Sequence, residues 1–234
     1  RLDKNKLTDR AINGNNKIFQ RSKIEQDTQE INMFETIIID RSWSMGERSD
    51  EKSPFSQSDK AAITRPKVLE HFKVEMSIVI FDDSVNEVMN FWEVFSERRT
   101  KIPSKLMREY TARSWWNSKE PITHVYHKMK ERMRQLWGKS FGNISFIWDG
   151  DLYSWQQVPT LKAMIDDLKK QSMWVTAYYI NKDEKKMPLI EYYFGTVADG
   201  NALYAKDTLD LSAKIIGNHK SKLSLLIKKY LKSS

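Results

Sequence analysis

Short apolar runs alternate along the chain with segments in which apolar residues recur every three or four positions. Buried strands are predicted where the runs are rich in β-branched or aromatic residues, at residues 33–39, 74–83, 143–151 and 173–180. Helical spacing is clearest after Pro121, where Thr123 is predicted to open a helix. One face of this helix carries Val125, Met129, Met133 and Leu136. Strands that alternate with helices predict a doubly wound α/β fold with a mostly parallel sheet flanked by helices.

The weaker patterns complete this prediction. Residues 84–91 alternate as one short antiparallel edge strand would, and residues 200–207 predict a short last strand. Helices are predicted at about residues 60–71 and at 158–171. Residues 92–120 have no clear period, and we interpret them as one helix followed by a tryptophan-rich loop.

The length of the chain and the composition of its ends indicate how many domains it contains. Residues 1–31 are polar and mixed in charge, and we interpret them as a flanking segment before one domain at 32–234. The first residue is Arg1, which indicates processing, trimming or excision from a longer protein. No apolar run approaches the roughly 18 residues of a membrane span, and no signal peptide is visible.

Cysteine is absent from all 234 residues. This excludes disulfides, thiolate catalysis and zinc sites built on sulfur. It also fits a reducing compartment, so we expect a cytoplasmic protein.

The net charge of +8 is concentrated at the carboxyl terminus, where six lysines and no acidic residue follow from Lys214 onward. Such a segment could bind nucleic acid or anionic lipid. We favour a solvated helix face, because an apolar stripe at helical spacing accounts for the segment. That stripe is predicted to cover the sheet through Ile216, His219, Leu223, Leu226 and Tyr230.

Acidic residues follow three of the predicted strands, at the edge where doubly wound sheets bind ligands. They are Asp40, the pair Asp82 and Asp83, and the pair Asp149 and Asp151. After the first strand, Asp40, Ser42 and Ser44 present three oxygen groups at alternate positions, which an extended loop aims the same way. Mg²⁺ and similar hard cations prefer such ligands. Capping of the next helix is the other interpretation of these serines.

Together with Thr123 at a helix start and Asp149 at a strand end, this pattern resembles the metal-ion-dependent adhesion site of von Willebrand factor A domains. The resemblance covers residues 33–232 and the order of the elements. It implies that Ser42, Ser44 and Thr123 bind Mg²⁺, or another divalent ion such as Mn²⁺ or Ca²⁺. Asp40 and Asp149 would act largely through bound waters, and a carboxylate of a protein partner would take one open position. Trp43 departs from the family pattern, which usually has glycine between the serines.

The N-terminal segment is similar to the segment that precedes the A domain of cobaltochelatase-type and nitric-oxide-reductase accessory proteins. The matching positions are Leu2, Asp3, Arg10, Phe19 and Arg21. Such proteins work with ring-forming AAA+ ATPases, and their A domain usually lies at the carboxyl end. The resemblance therefore implies a non-catalytic, metal-dependent protein-binding module of a larger cytoplasmic protein, with an AAA+ ATPase or chelatase-type complex as partner.

Two other function classes stay open. Asp82, Asp83 and Asp151 could complete a two-metal hydrolase or nuclease site, although spacing fixes no acid or base beside them. The lysine-rich terminus could bind nucleic acid without catalysis.

Two histidines and four tryptophans are further candidates for residues in or near the site. His124 and His127 are three residues apart on one helix but lack a third ligand in register, and no glycine-rich phosphate-binding loop is present. Among the aromatic residues near the predicted site, we assign Trp115 and Trp116 to an interface and Trp148 to the core, and Trp155 lies beside the same loops.

Overall fold

The computed structural model describes residues 32–47, 49–70, 73–81, 84–98, 102, 106, 119–136, 140–149, 158–171, 173–180, 185, 187–206 and 208–231. The predicted flanking segment at residues 1–31 lies outside this part of the chain, as does the tryptophan-rich stretch at 107–118.

A six-stranded sheet forms the centre of the described structure. Its strands are β1 (Asn32–Asp40), β2 (Glu75–Phe81), β3 (Val85–Met89), β4 (Ser140–Trp148), β5 (Trp174–Ile180) and β6 (Ala202–Ala205). Their order is β3-β2-β1-β4-β5-β6; β3 is antiparallel to β2, and the other neighbours pair in parallel. The predicted fold class, with its short antiparallel edge strand, is confirmed.

Six helices and one 3₁₀ turn connect these strands in the described residues. The turn is Trp43–Met45, and the helices are α1 (Pro54–Glu70), α2 (Phe95–Arg98), α3 (Lys119–Gln135), α4 (Val158–Lys170), α5 (Met187–Phe194) and α6 (Thr208–Leu231). None of them combines the length and the apolar character that a membrane crossing requires.

Two helix starts differ from the prediction. Helix α3 begins four residues before Thr123, and Pro121 lies within its first turn, where no intrahelical partner is available for a backbone N–H in any case. Helix α1 begins at Pro54 for the same reason, and Ser53 caps it by accepting the Ser56 N–H at 3.1 Å. Pro121, read as a helix boundary, is thus a first-turn residue, and the predicted start of α1 at about residue 60 was six residues late.

The central strand β1 is buried on both faces, which explains its continuous apolar run. Phe34 and Ile38 pack with α3, α4 and α5 in one core cluster. Ile37 and Ile39 pack with α1 and α6 in the other. The two faces of one strand therefore hold both helix layers.

The predicted sheet-facing stripe of α6 is wrong at Ile216, and the side chains of its other members, His219, Leu223, Leu226 and Tyr230, lie outside the described residues. Ile216 is 57% exposed, whereas Leu211 and Ile215 are buried and Lys222 is only 6% exposed. Asn218 shares the inward face, and its amide donates to Tyr178 Oη at 3.2 Å. Lys222 also departs from the prediction that the lysines of this helix face solvent, because the sheet offers polar partners to Asn218 and Lys222.

These partners belong to a buried polar cluster between the sheet, α1 and α6. Arg65 Nη2 lies 2.5 Å from Glu35 Oε1, and Ser145 Oγ donates to the same carboxylate at 2.9 Å. Lys222 Nζ donates to Thr176 Oγ1. Because buried charges are tolerated only when paired, this cluster fixes how α1 and α6 lie on the sheet.

Gly142 in β4 gives the first testable prediction. A Cβ atom built there lies 2.9 Å from Phe34 Cζ, closer than real Cβ contacts, and a tight 3.0 Å from Met129 Cε. We expect Gly142→Ala to lower the free energy of unfolding by about 1–3 kcal/mol through overpacking. Urea unfolding measures this, with Gly217→Ala as a matched control, because no atom lies within 4 Å of a Cβ at Gly217. Equal stability of Gly142→Ala and wild type would contradict the packing of β4.

Candidate functional site

The carboxyl ends of β1 and β4 bring two acidic residues together. Ile39 pairs with Ile147 in parallel register, so Asp40 at the end of β1 lies level with Trp148, and Asp149 follows directly. Both carboxylates are buried, each residue being 1% exposed. Two carboxylates from distant parts of the sequence therefore share one edge of the sheet.

The segment from Asp40 to Met45 turns its hydroxyl groups outward. The Ser42 backbone N–H donates to Asp40 Oδ1 at 2.7 Å, and the Ser42 and Ser44 hydroxyl oxygens are 2.9 Å apart. The Met45 N–H closes the 3₁₀ turn on the Ser42 carbonyl at 3.1 Å, and the Met45 side chain is fully buried. Three of the five predicted site residues are thus in mutual contact.

The geometry of this segment also answers two questions raised by the sequence. Ser53 caps helix α1, so Ser42 and Ser44 do not serve as its cap. Trp43 lies in the 3₁₀ turn, and the positive φ of 82° that the loop needs falls on Gly46. Among the described non-glycine residues only Lys73 has a positive φ, so tryptophan fits its position in the motif without backbone strain.

The electrostatics of Asp40 are unusual. Burial, and next the nearby charge of Asp149, raise the pKa of Asp40 to about 8, against the opposing effect of the Ser42 hydrogen bonds. Asp40 Oδ2 is buried and accepts no hydrogen bond from the described residues. A buried, unsatisfied carboxylate oxygen beside a second carboxylate is costly. A divalent cation at this position would remove that cost, so the donor set fits a hard metal ion.

Thr123 approaches the same edge from α3. Near the other end of this helix, Arg132 Nη2 lies 2.5 Å from Glu75 Oε1 at the start of β2, so the first turns of α3 point toward the carboxyl edge of the sheet. Thr123 is half-buried, and its hydroxyl donates to Met164 Sδ at 3.6 Å. Sulfur is a weak acceptor, so the contact with Met164 is a weak hydrogen bond.

Arg41 and Met45 hold the loop on the core, and the sequence analysis missed both. They lie between and after the candidate ligands, and each is at most 2% exposed. For Arg41 the available signal was the spacing, because in an extended segment a residue between two outward-facing ligands points the other way. Met45 lies in the 3₁₀ turn, so the extended path predicted from Asp40 to Ser44 ends before Trp43.

The remaining candidates divide into those with a described partner and those outside the described residues. His124 Nε2 hydrogen-bonds to Glu87 Oε1 at 2.8 Å, and His127 is exposed, with its ring 5.3 Å from that of Tyr126. Trp148 is buried, as predicted. The described residues hold no group of three His, Cys, Asp or Glu side chains suited to a metal. Outside them lie Asp82, Asp83, Asp151, Trp115, Trp116, Trp155 and the side chain of Trp43.

No protein-family model and no curated protein sequence matches the chain. Solved structures similar to the chain include two that each share 14% sequence identity with it. One is proximal thread matrix protein 1 of the mussel byssus, with a TM-score of 0.55 over 78% of this chain and 45% of that one. The other is the manganese-loaded TRAP protein of Plasmodium vivax, with a TM-score of 0.60 over 79% of this chain and 72% of that one.

These similarities extend to the fold alone, and they agree with the sheet order and with the resemblance found in the sequence. The fold is of the von Willebrand factor A type. The chain spans less than half the length of the mussel protein, and the Plasmodium vivax structure is manganese-loaded.

Proposed function

We propose that this chain is a metal-ion-dependent protein-binding module. Asp40, Ser42, Ser44, Thr123 and Asp149 would hold Mg²⁺, or another divalent ion such as Mn²⁺ or Ca²⁺. The observation that carries the proposal is the buried Asp40 carboxylate, which lies beside Asp149 and two contacting serine hydroxyls with one oxygen unsatisfied among the described residues.

The chemistry of these side chains supports a hard cation. Two carboxylates match the charge of a divalent ion, and hydroxyl oxygens add ligands without further charge. Binding would release the proton that Asp40 retains near neutral pH, and it would draw the Thr123 hydroxyl away from Met164. When bound, the ion supplies an open position for a carboxylate of a protein partner. Exposed Ser44 and half-buried Ser42 leave this face of the site accessible.

The partner and cellular setting are further parts of the proposal. The similarity of residues 1–31 to the segment before chelatase-type A domains favours an AAA+ ATPase or a chelatase-type complex as partner. It also favours a role as the carboxyl-terminal, non-catalytic module of a larger protein. The lack of cysteine favours the cytoplasm.

Metal-dependent capture tests this function directly. We expect the immobilised chain to bind Mn²⁺ and to retain a partner in Mg²⁺ that EDTA releases, because the ion bridges the two proteins. Ser44→Ala should weaken both interactions without unfolding the chain, since Ser44 is exposed. Calorimetry measures the ion, and mass spectrometry of the eluate identifies the partner. Equal capture in Mg²⁺ and EDTA, or by wild type and Ser44→Ala, would refute the metal bridge.

The hydrolase and nucleic-acid alternatives are separated by two assays. We expect no cleavage of labelled DNA or RNA in Mg²⁺ or Mn²⁺, and turnover would replace the proposal with a hydrolase. We also expect no salt-dependent binding of these nucleic acids. Lys222 is buried, and Lys214 donates to the Tyr204 carbonyl and contacts Asp210 at 2.9 Å, so these two terminal lysines face the protein.

A further inference from the structure

Arg41 joins the metal-binding loop to helix α1. Its backbone N–H donates to the Phe81 carbonyl at 2.8 Å, which continues the β1–β2 pairing one residue beyond Asp40. Its side chain is buried, forms an ion pair with Asp59, and holds its guanidinium carbon 4.3 Å from the centre of the Phe55 ring. The Phe55 carbonyl and the Ser58 hydroxyl lie 3.5 Å from Nη1.

This anchor fixes the direction of the candidate ligands. In an extended segment, consecutive side chains point to opposite sides, so a side chain held against α1 turns those of Asp40 and Ser42 the other way. A planar guanidinium that pairs with a carboxylate and stacks on a ring has one orientation, whereas a lysine ammonium has many. The anchor therefore limits rotation of the loop between two site residues.

Asp59 has a second effect, on charge. A buried guanidinium one residue from Asp40 would repel a cation if it were unbalanced. The Asp59 carboxylate balances that charge on the side away from the site, and it is itself only 15% exposed. The pair thus provides rigidity without leaving a net positive charge next to the metal position.

We propose that Arg41 and Asp59 are positioning residues that hold the Asp40–Ser44 loop in the geometry for metal binding. This inference rests on the proposed function, and it adds α1 to the elements that determine metal affinity. Residues that orient metal ligands without touching the ion typically change metal affinity by about 10–100-fold when replaced.

The test compares Arg41→Lys with Arg65→Lys in the full chain, with Mn²⁺ alone as the probe. Both variants keep the charge and lose the planar fork, and both weaken a buried arginine–carboxylate pair, since Arg65 pairs with Glu35 on the face opposite Asp40. We expect Arg41→Lys to bind Mn²⁺ about tenfold more weakly. In its metal-free form, hydrogen exchange of the amides at 42–45 should be faster than in wild type. Arg65→Lys should lose stability but keep wild-type Mn²⁺ affinity and loop exchange.

The possible outcomes separate the two proposals. Wild-type affinity and loop exchange in Arg41→Lys would overturn the positioning role and leave the metal site intact. Equal loss of affinity in Arg65→Lys would also overturn it, because the effect would then be general destabilisation. Absence of Mn²⁺ binding by the wild-type chain would refute the proposed function, and the inference with it. If Arg41→Lys does not fold, Asp59→Asn tests the positioning role in its place. We expect this variant to bind Mn²⁺ more weakly than wild type, and wild-type affinity would overturn the proposal.

Discussion

Replacement of Asp40 by asparagine is expected to abolish the stabilisation of this protein by Mn²⁺ while leaving its fold intact. Asparagine has the same shape, and its side-chain oxygen can still accept the Ser42 N–H. It cannot supply the charge that holds a divalent ion. At a free Mn²⁺ concentration 100 times Kd, binding should stabilise wild type by about 2.7 kcal/mol and the variant not at all. Thermal or urea unfolding with and without Mn²⁺ measures the difference.

Without metal, Asp40→Asn should instead be more stable than wild type at alkaline pH. The pKa of Asp40 is about 8 in the folded protein, above its ordinary value of 3.8, because the carboxylate is buried beside Asp149. The folded state then binds more protons than the unfolded state between these values, so metal-free wild type loses stability as pH rises from about 4 through 8. Asp40→Asn should lack this loss and exceed wild type in stability at pH 8.

Asp166→Asn provides the matched control, since Asp166 is half-buried on α4 and pairs with Lys162 at 3.2 Å. It should keep the Mn²⁺ response and the pH dependence of wild type. A normal Mn²⁺ response in Asp40→Asn would remove Asp40 from the site. An unchanged pH dependence would instead show that its carboxylate is not buried beside Asp149.

The parts of the site that could be predicted are those that depend on local spacing or on sheet topology. Asp40, Ser42 and Ser44 are neighbours in sequence, so a strand end followed by a tight turn brings them together whatever the rest of the fold does. Asp149 follows from parallel pairing, because the carboxyl ends of β1 and β4 must meet at one edge. The fold class was predictable for the same reason: the alternation of strands and helices leaves few topologies.

The parts that could not be predicted depend on tertiary contacts. The Thr123 hydroxyl contacts Met164 on another helix, and the Arg41 side chain is buried against Phe55 and Asp59 on α1. Neither partner is marked by sequence spacing. Helix α5 was missed because its eight residues are too short for a helical period to stand out.

The burial of Lys222 on α6 has the same origin. Pattern analysis assigns lysine to solvent and isoleucine to the core, but Lys222 is buried and Ile216 is exposed. Glu35 in β1 pairs with Arg65, and its carboxylate also favours the charged form of Lys222 on the facing helix. Tertiary electrostatics therefore favour Lys222 on the sheet-facing side of α6, although its residue type had indicated solvent.

Lys222→Met is accordingly expected to change how stability depends on pH. Burial lowers the pKa of Lys222 to about 8 from its ordinary 10.5, with Arg65 and Lys169 acting in the same direction and Glu35 opposing them. Between these values the unfolded state binds more protons, so wild type gains stability as pH rises from 8 to 10.5. The gain should be about 3 kcal/mol. Methionine lacks the titrating group, so the variant should be the more stable protein at pH 7 and should lose that advantage by pH 10.5.

Urea unfolding of both proteins at pH 7, 9 and 10.5 measures this effect, because other titrating groups cancel in the difference between them. Lys220→Met is the matched control, since Lys220 is exposed on the same helix and its replacement should give a difference that does not change with pH. A pH-independent difference for Lys222→Met would mean that the ammonium group is solvated. The Lys222 side chain would then lie outside the buried polar cluster that holds Glu35 and Arg65.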